Sequence, residues 1–300
     1  MHVFFIIKRD YLSIVFLVML TSSCSKVKHQ EDNVVMPENP KTSKVIFAKD
    51  VSIEKGWKDT DKRGVPEDIM ACWLITASNM IEWWQDCYTT IGLTLPEETP
   101  FGKGDGLYGS AVFDTAISSF TALDRGGNIS TGLAWYIEGT NDISISDNHS
   151  QPIAGTGNFL KDIPQELREY SKKPFLSYSA WEDAESEESA LQLFSKSLAQ
   201  KLKKGDVLGL DIKTHIGQGG ALHAITLWGA EFDSDGIVTK LYITDSDDYE
   251  YRLIECTVKP DTDIYKTKVI TMQFSPCAAY PEGTNWEILR LFYLTSPRTF

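Results

Sequence analysis

After Gly205 the apolar residues of this chain change period, and that change constrains the fold more than any other feature. Before it they recur every three to four positions. Trp73, Ala77, Met80, Ile81 and Trp84 do so within 68–86, and Ala190, Leu191, Phe194, Leu198 and Leu202 within 187–204. Such spacing puts each set on one face of a helix. Asp68 stands where it can cap the first helix, and Lys203-Lys204-Gly205 closes the second. Afterwards come β-rich runs at 207–212, 223–232, 237–244 and 290–294. Helices first and antiparallel strands second predict an α+β protein, not alternating βαβ units.

The second and third runs are joined by Asp233-Ser234-Asp235-Gly236, a hairpin signal in which Gly236 supplies the positive φ. With a three-residue loop, Asp233 opposes Ile237. Counting back along the ladder, His223 then opposes Asp247, and Asp245 is its diagonal neighbour on the same face. A slip of one residue would send both carboxylates to the opposite face. Glu231 to Gly236 also begins like a calcium loop, but the twelfth position is Tyr242 where a bidentate Glu belongs, and a hairpin accounts for it better. Gly104-Asp105-Gly106-Leu107-Tyr108-Gly109 fits G-x-G-x-x-G without a strand before it, and reads as a loop.

Three hundred residues, 42% of them hydrophobic, suffice for one large core or two modest lobes. A net charge of −13 argues against a nucleic-acid partner, because a phosphate backbone repels such a surface. No Cys/His cluster has zinc spacing, and nothing in the sequence calls for a cofactor.

The N-terminus reads as a targeting segment. Lys8-Arg9 precedes a ten-residue apolar run at 11–20, too short to span a bilayer, and Thr21-Ser22-Ser23-Cys24 follows. This resembles a bacterial lipoprotein signal, although Leu20 lies four places before Cys24 instead of three. The polar stretch that comes next favours lipidation of Cys24 over simple cleavage nearby. The expected organisation is a signal over 1–24, a polar linker over 25–45 with Pro37 and Pro40, and a globular domain over 46–300. Membrane attachment through Cys24, at the cell surface or in the periplasm, follows from that reading. Of the five cysteines, Cys87, Cys256 and Cys277 are left once Cys24 and Cys72 are assigned. They allow one disulfide at most, Cys256 with Cys277, or buried thiols.

Cys72 falls about one turn inside the first predicted helix, where unpaired amides favour a thiolate. Alone, a cysteine is usually a small buried hydrophobe. Its pairing with His223 and Asp245 changes the reading: cysteine hydrolases of the papain kind use the order Cys, His, Asp, with the imidazole well over a hundred residues downstream. A carboxylate beside His223 would fix its tautomer and stabilise its protonated form.

Three groups of residues carry a more specific resemblance. They are Gly56-Trp57 through Asp61-Lys62 to Cys72, Asn79-Met80 with Trp83-Trp84, and His223 through Leu227-Trp228-Gly229-Ala230 to Thr244-Asp245-Ser246-Asp247. Together they are similar to the IdeS/Mac family of immunoglobulin-degrading cysteine endopeptidases. The resemblance covers some 80 residues in two blocks, plus 205–210. It implies a papain-like fold with Cys72 as nucleophile, His223 as its histidine, Asp245 as the triad carboxylate and Asp247 in support. Lys62 matches a lysine of the oxyanion hole, where a cation meets developing negative charge. Trp73 stands where the family has Gly, beside the thiol where it could narrow the cleft, and Leu222 stands where Asn precedes the histidine. The implied substrate is a protein, with host immunoglobulin among the candidates. Two other classes remain open: acyl transfer of the transglutaminase type, and a binding lipoprotein that keeps the fold without catalysis. Lys62 favours the peptidase over the first, and the intact set of five residues counts against the second.

Overall fold

The structure is a computed structural model and describes residues 43–139, 149–214, 221–263, 265–276, 280 and 284–298. Cys24 and Cys277 lie outside them, as does most of the expected linker. The last two residues of the stretch read as linker, Lys44 and Val45, belong to the first strand, β1 (Lys44–Phe47).

The first half is helical. α1 (Cys72–Thr90) is followed by α2 (Ala111–Ser118), the short strand β2 (Phe120–Thr121), α3 (Ile129–Glu138) and β3 (Gln151–Pro152), which pairs with β2. Then come β4 (Leu176–Ser177), α4 (Tyr178–Glu182) and α5 (Glu187–Lys203). α5 matches its sequence pattern, and Ser186 with Ser189 forms a reciprocal cap at its start. α1 starts later than its pattern predicts. Asp68 does not cap it. Its Oδ2 accepts instead from the Arg63 amide (2.6 Å) and the Tyr108 hydroxyl (3.1 Å), and Ala71 takes the N-cap position with no side-chain bond. Cys72 is therefore the first residue of the helix, not one turn inside it.

The second half is antiparallel throughout: β5 (Val207–Thr214), β6 (Leu222–Phe232), β7 (Val238–Thr244), β8 (Ile254–Thr262), β9 (Lys268–Phe274) and β10 (Asn285–Leu294). The strands pair in the order β6-β5-β10-β9-β8-β7, and β7 pairs back onto β6, which closes a barrel. β1 extends the edge of β6 beyond β5, and β4 adds to β10.

The hairpin follows the sequence reading. The Asp233 amide donates to Ile237 O (2.8 Å), Gly236 has φ +79°, and Asp233 Oδ1 accepts from the Asp235 and Ile237 amides, each at 2.9 Å. Beyond it the ladder is irregular twice. Thr239 is an extra residue on β7 between the Glu231/Lys240 and Phe232/Val238 pairs, and Trp228 is an extra residue on β6 between Leu227/Ile243 and Gly229/Tyr242. The two irregularities cancel. At Thr226/Thr244, where the ladder ends, the register is the one counted from the loop.

Two apolar cores share β6 as a wall. One gathers α1, α2 and α3 through residues such as Met80, Trp84, Phe113 and Leu133, against Ala224 and Trp228 of β6. The other draws on one face of the barrel strands and on α5, with Phe194 and Leu198 against Ile225, Leu227 and Leu241. This alternation follows from the two-residue period of a strand. It turns His223 toward the same side as Ile225 and Leu227.

Candidate active site

Cys72, His223 and Asp245 meet where the start of α1 faces the ends of β6 and β7. The segment before α1 is tied into the same place. Asn79 Oδ1 on α1 accepts from the Thr60 amide (3.1 Å), and its Nδ2 donates to Thr226 Oγ1 (3.4 Å). Thr244 Oγ1 donates to Lys58 O (2.9 Å), and the Lys62 amide donates to Ser246 O (2.9 Å). Lys62 is thus delivered to the site with 7% of its surface exposed.

The His223 ring bridges sulfur and carboxylate. Its Nε2 lies 2.6 Å from Asp245 Oδ1, and the ring and the Cys72 thiol favour each other's charged form. With Nε2 engaged, Nδ1 is the nitrogen left for the sulfur. Asp245 has no exposed side-chain surface. Its Oδ1 also accepts from the Asp247 amide (3.0 Å), and its Oδ2 accepts from the Tyr280 hydroxyl (3.1 Å). The Trp286 ring lies 5.8 Å from the imidazole.

The charges reinforce one another. Burial pushes the Cys72 thiol up, but the hydrogen bond and charge of His223, the charge of Lys62 and the Ala224 amide outweigh it and hold the thiol below its ordinary range. Burial also opposes a charged His223, yet Asp245 and Cys72 hold the imidazolium well above its ordinary range. For Asp245, burial is outweighed by His223, the Asp247 amide and Tyr280, which keep the carboxyl low. Such a site can carry a thiolate beside an imidazolium, and the thiolate is the nucleophilic form.

Asp247 and Lys62 form a pair of their own. Asp247 Oδ1 lies 2.7 Å from Lys62 Nζ, and its Oδ2 lies 3.8 Å from His223 Nε2. Asp247 therefore reaches the imidazole mainly through its backbone amide on Asp245. Burial lowers the Lys62 ammonium, but Asp247 and the charges of Cys72 and Asp245 raise it above its ordinary range. His223, Asp245 and Asp247 also offer ligand atoms within 4.8 Å of one another, a set of the kind that can hold a metal ion. Here Lys62 and the His223 ring already supply positive charge against those two carboxylates.

The surroundings are acidic. Asp59 is pushed up to about 9, chiefly by burial and then by Asp61, with the Arg252 amide opposing. Burial also pushes Asp61 up to about 6 against Arg63, with Asp248, Asp245 and Asp247 adding to it. Ile69 and Met70 just before Cys72, and Leu222 just before His223, are exposed. Trp73 does not narrow the cleft. It is 2% exposed, meets Phe120 edge-on at 5.2 Å, and packs so close to Gly127 that a Cβ there would lie 2.3 Å from the ring. Tyr280 and Trp286 carry no sequence signal for this site, whereas Asn79 and Thr244 stand among the residues that carry the resemblance.

Residues 153–259 match the family model described as Mac 1. An IgM protease of Streptococcus suis (strain P1/7) is 26% identical over 213 residues, a match that takes in 66% of this chain and 18% of the relative. The chain thus spans under a fifth of that relative's length. Both matches bear out the likeness to the Mac family read from the sequence. The family-model match contains His223, Asp245 and Asp247, while Lys62 and Cys72 precede it.

Proposed function

We propose that this chain, similar to the Mac family, is a cysteine endopeptidase of papain-like build that cleaves an immunoglobulin or a related protein. The observation that carries this reading is the buried His223 ring, whose Nε2 lies 2.6 Å from Asp245 Oδ1 and whose charge holds the Cys72 thiol below its ordinary range. The Cys72 thiolate attacks the scissile carbonyl, and negative charge develops on its oxygen. Lys62 and the Cys72 amide at the start of α1 stabilise that oxygen. His223 then gives its proton to the departing amine, and an acyl-enzyme remains. Next His223 takes a proton from water, which attacks the acyl group and releases the thiolate. Asp245 keeps the ring in one orientation through both steps. Exposed Ile69, Met70 and Leu222, next in sequence to Cys72 and His223, offer an extended substrate apolar contacts.

An immunoglobulin substrate rests on the name of the Streptococcus suis relative and on the family resemblance. Export and anchoring through a lipid on Cys24 belong to the same proposal, with the polar linker read over 25–45 as the tether, less the residues at its end that join β1.

Incubation with immunoglobulin M, immunoglobulin G and a panel of other proteins, followed by mass spectrometry of the products, tests the proposal. Discrete peptides that are absent with Cys72→Ala are expected. Products that persist in Cys72→Ala, or no cleavage of any protein, would overturn it.

A further inference from the structure

We infer that Tyr280 is a positioning residue of this site: it holds the second oxygen of Asp245 so that the first stays on His223. The inference rests on the cysteine-peptidase reading above.

A carboxylate with no exposed surface needs a donor at each oxygen, because a buried acceptor left without one forfeits its hydration with no return. Asp245 Oδ1 has two donors, the imidazole at 2.6 Å and the Asp247 amide at 3.0 Å. Oδ2 has the Tyr280 hydroxyl at 3.1 Å. Held at one oxygen only, the carboxylate could turn about its Cβ–Cγ bond. Held at both, its plane is fixed, and the imidazole plane with it.

The charged and titratable groups around Asp245 are His223, Cys72 and Lys62 together with Asp59, Asp61 and Asp247. Tyr280 is a neutral side chain among them, and its hydroxyl favours the ionised carboxylate without adding a charge.

Tyr280 is held in turn. It lies between β9 and β10 and meets Phe274 edge-on at 4.9 Å and Trp286 edge-on at 5.9 Å. Trp286 is the ring that lies against His223. A hydroxyl from the β9–β10 connection thus reaches the turn that follows β7.

The test uses the full chain and Tyr280→Phe, with Phe274→Leu as a packing control that keeps the hydroxyl. Three quantities are measured: the titration midpoint of the Asp245 carboxyl by carbon NMR, the rate of Cys72 alkylation by iodoacetamide at pH 6, and the melting temperature. In Tyr280→Phe the midpoint should rise by about one pH unit and alkylation should slow about tenfold, the size of a hydrogen bond to a charged group. Phe274→Leu should lower the melting temperature and leave the midpoint in place. An unchanged midpoint in Tyr280→Phe, or the same shift in both variants, overturns the inference. Wild-type Cys72 that labels no faster than Cys87 brings down the peptidase reading instead, and the Asp245 midpoint still decides the role of Tyr280.

Discussion

Lys62 Nζ lies 2.7 Å from Asp247 Oδ1, so the cation proposed for the oxyanion hole is paired with a carboxylate that also lies 3.8 Å from the imidazole. Charge is thereby shared among Lys62, Asp247 and His223, and substitutions at these positions should separate their contributions.

Lys62→Ala should lower turnover about a hundredfold, as removal of one oxyanion donor does. Alkylation of Cys72 should slow by a much smaller factor, because Lys62 is one of several groups that hold the thiol down. Steady-state kinetics beside an iodoacetamide time course distinguishes the two. Equal losses in both would put the effect of Lys62 on the thiolate and leave the Cys72 amide as the oxyanion donor.

Asp247→Asn should move the alkaline limb of activity to lower pH. Asp247 raises the Lys62 ammonium against a burial that lowers it, so without that charge Lys62 loses its proton earlier. The backbone amide on Asp245 survives the change, and the acid limb should stay in place. A pH–rate profile whose alkaline limb is unmoved would mean that the Lys62 proton is not required.

Iodoacetamide at pH 6 should label Cys72 and leave Cys87 untouched. Cys72 is held low by His223, whereas burial foremost pushes Cys87 up to about 12. Peptide mapping of the native protein reads this directly. Labelling of both thiols at similar rates would remove the nucleophile assignment, and His223→Ala should slow the labelling of Cys72.

Asp59→Asn should stabilise the protein as pH rises. The Asp59 carboxyl is pushed up to about 9 in the fold from an ordinary 3.8, so the folded state binds the extra proton. Its contribution is therefore full below pH 4 and is lost progressively as pH climbs toward 9. The neutral Asn escapes that loss. The difference between the two proteins should be near zero at pH 4 and reach a few kcal/mol at neutral pH, by the linkage of roughly 1.4 kcal/mol per pH unit. Urea melts across this range measure it, and a difference that does not change with pH would contradict the burial of Asp59.

Where the sequence could be read, the signal was local. The Asp233 to Gly236 turn is written in its own side chain and its own φ, and the helical stripe of α5 needs no partner to be seen. The approach of Asp245 to His223 followed from that turn by counting. What stayed hidden depends on distant partners. Asp68 looks like a cap in sequence, but Arg63 and Tyr108 take its carboxylate and the helix begins four residues later. β8 and β9 went unseen because Thr257, Lys259 and Gln273 interrupt their apolar runs and Pro260-Asp261 imitates a turn. Tyr280 reaches Asp245 across 35 residues with no spacing to announce it.

The cancelling irregularities on β6 and β7 make segment length, more than side-chain identity, the inherited quantity in this hairpin. Trp228 and Thr239 each add one residue to one strand, and only their sum keeps His223 in step with Asp245. A point substitution at either position leaves that sum unchanged, although it removes the Trp228 Nε1 bond to Thr244 Oγ1 (2.9 Å) or the Thr239 Oγ1 bond to Glu231 O (3.3 Å). A deletion at either one, by contrast, shifts the imidazole by one residue against its carboxylate and turns it to the wrong face. Insertions and deletions in this hairpin should therefore survive only as matched events, one in each strand, much as a reading frame is restored by a second frameshift.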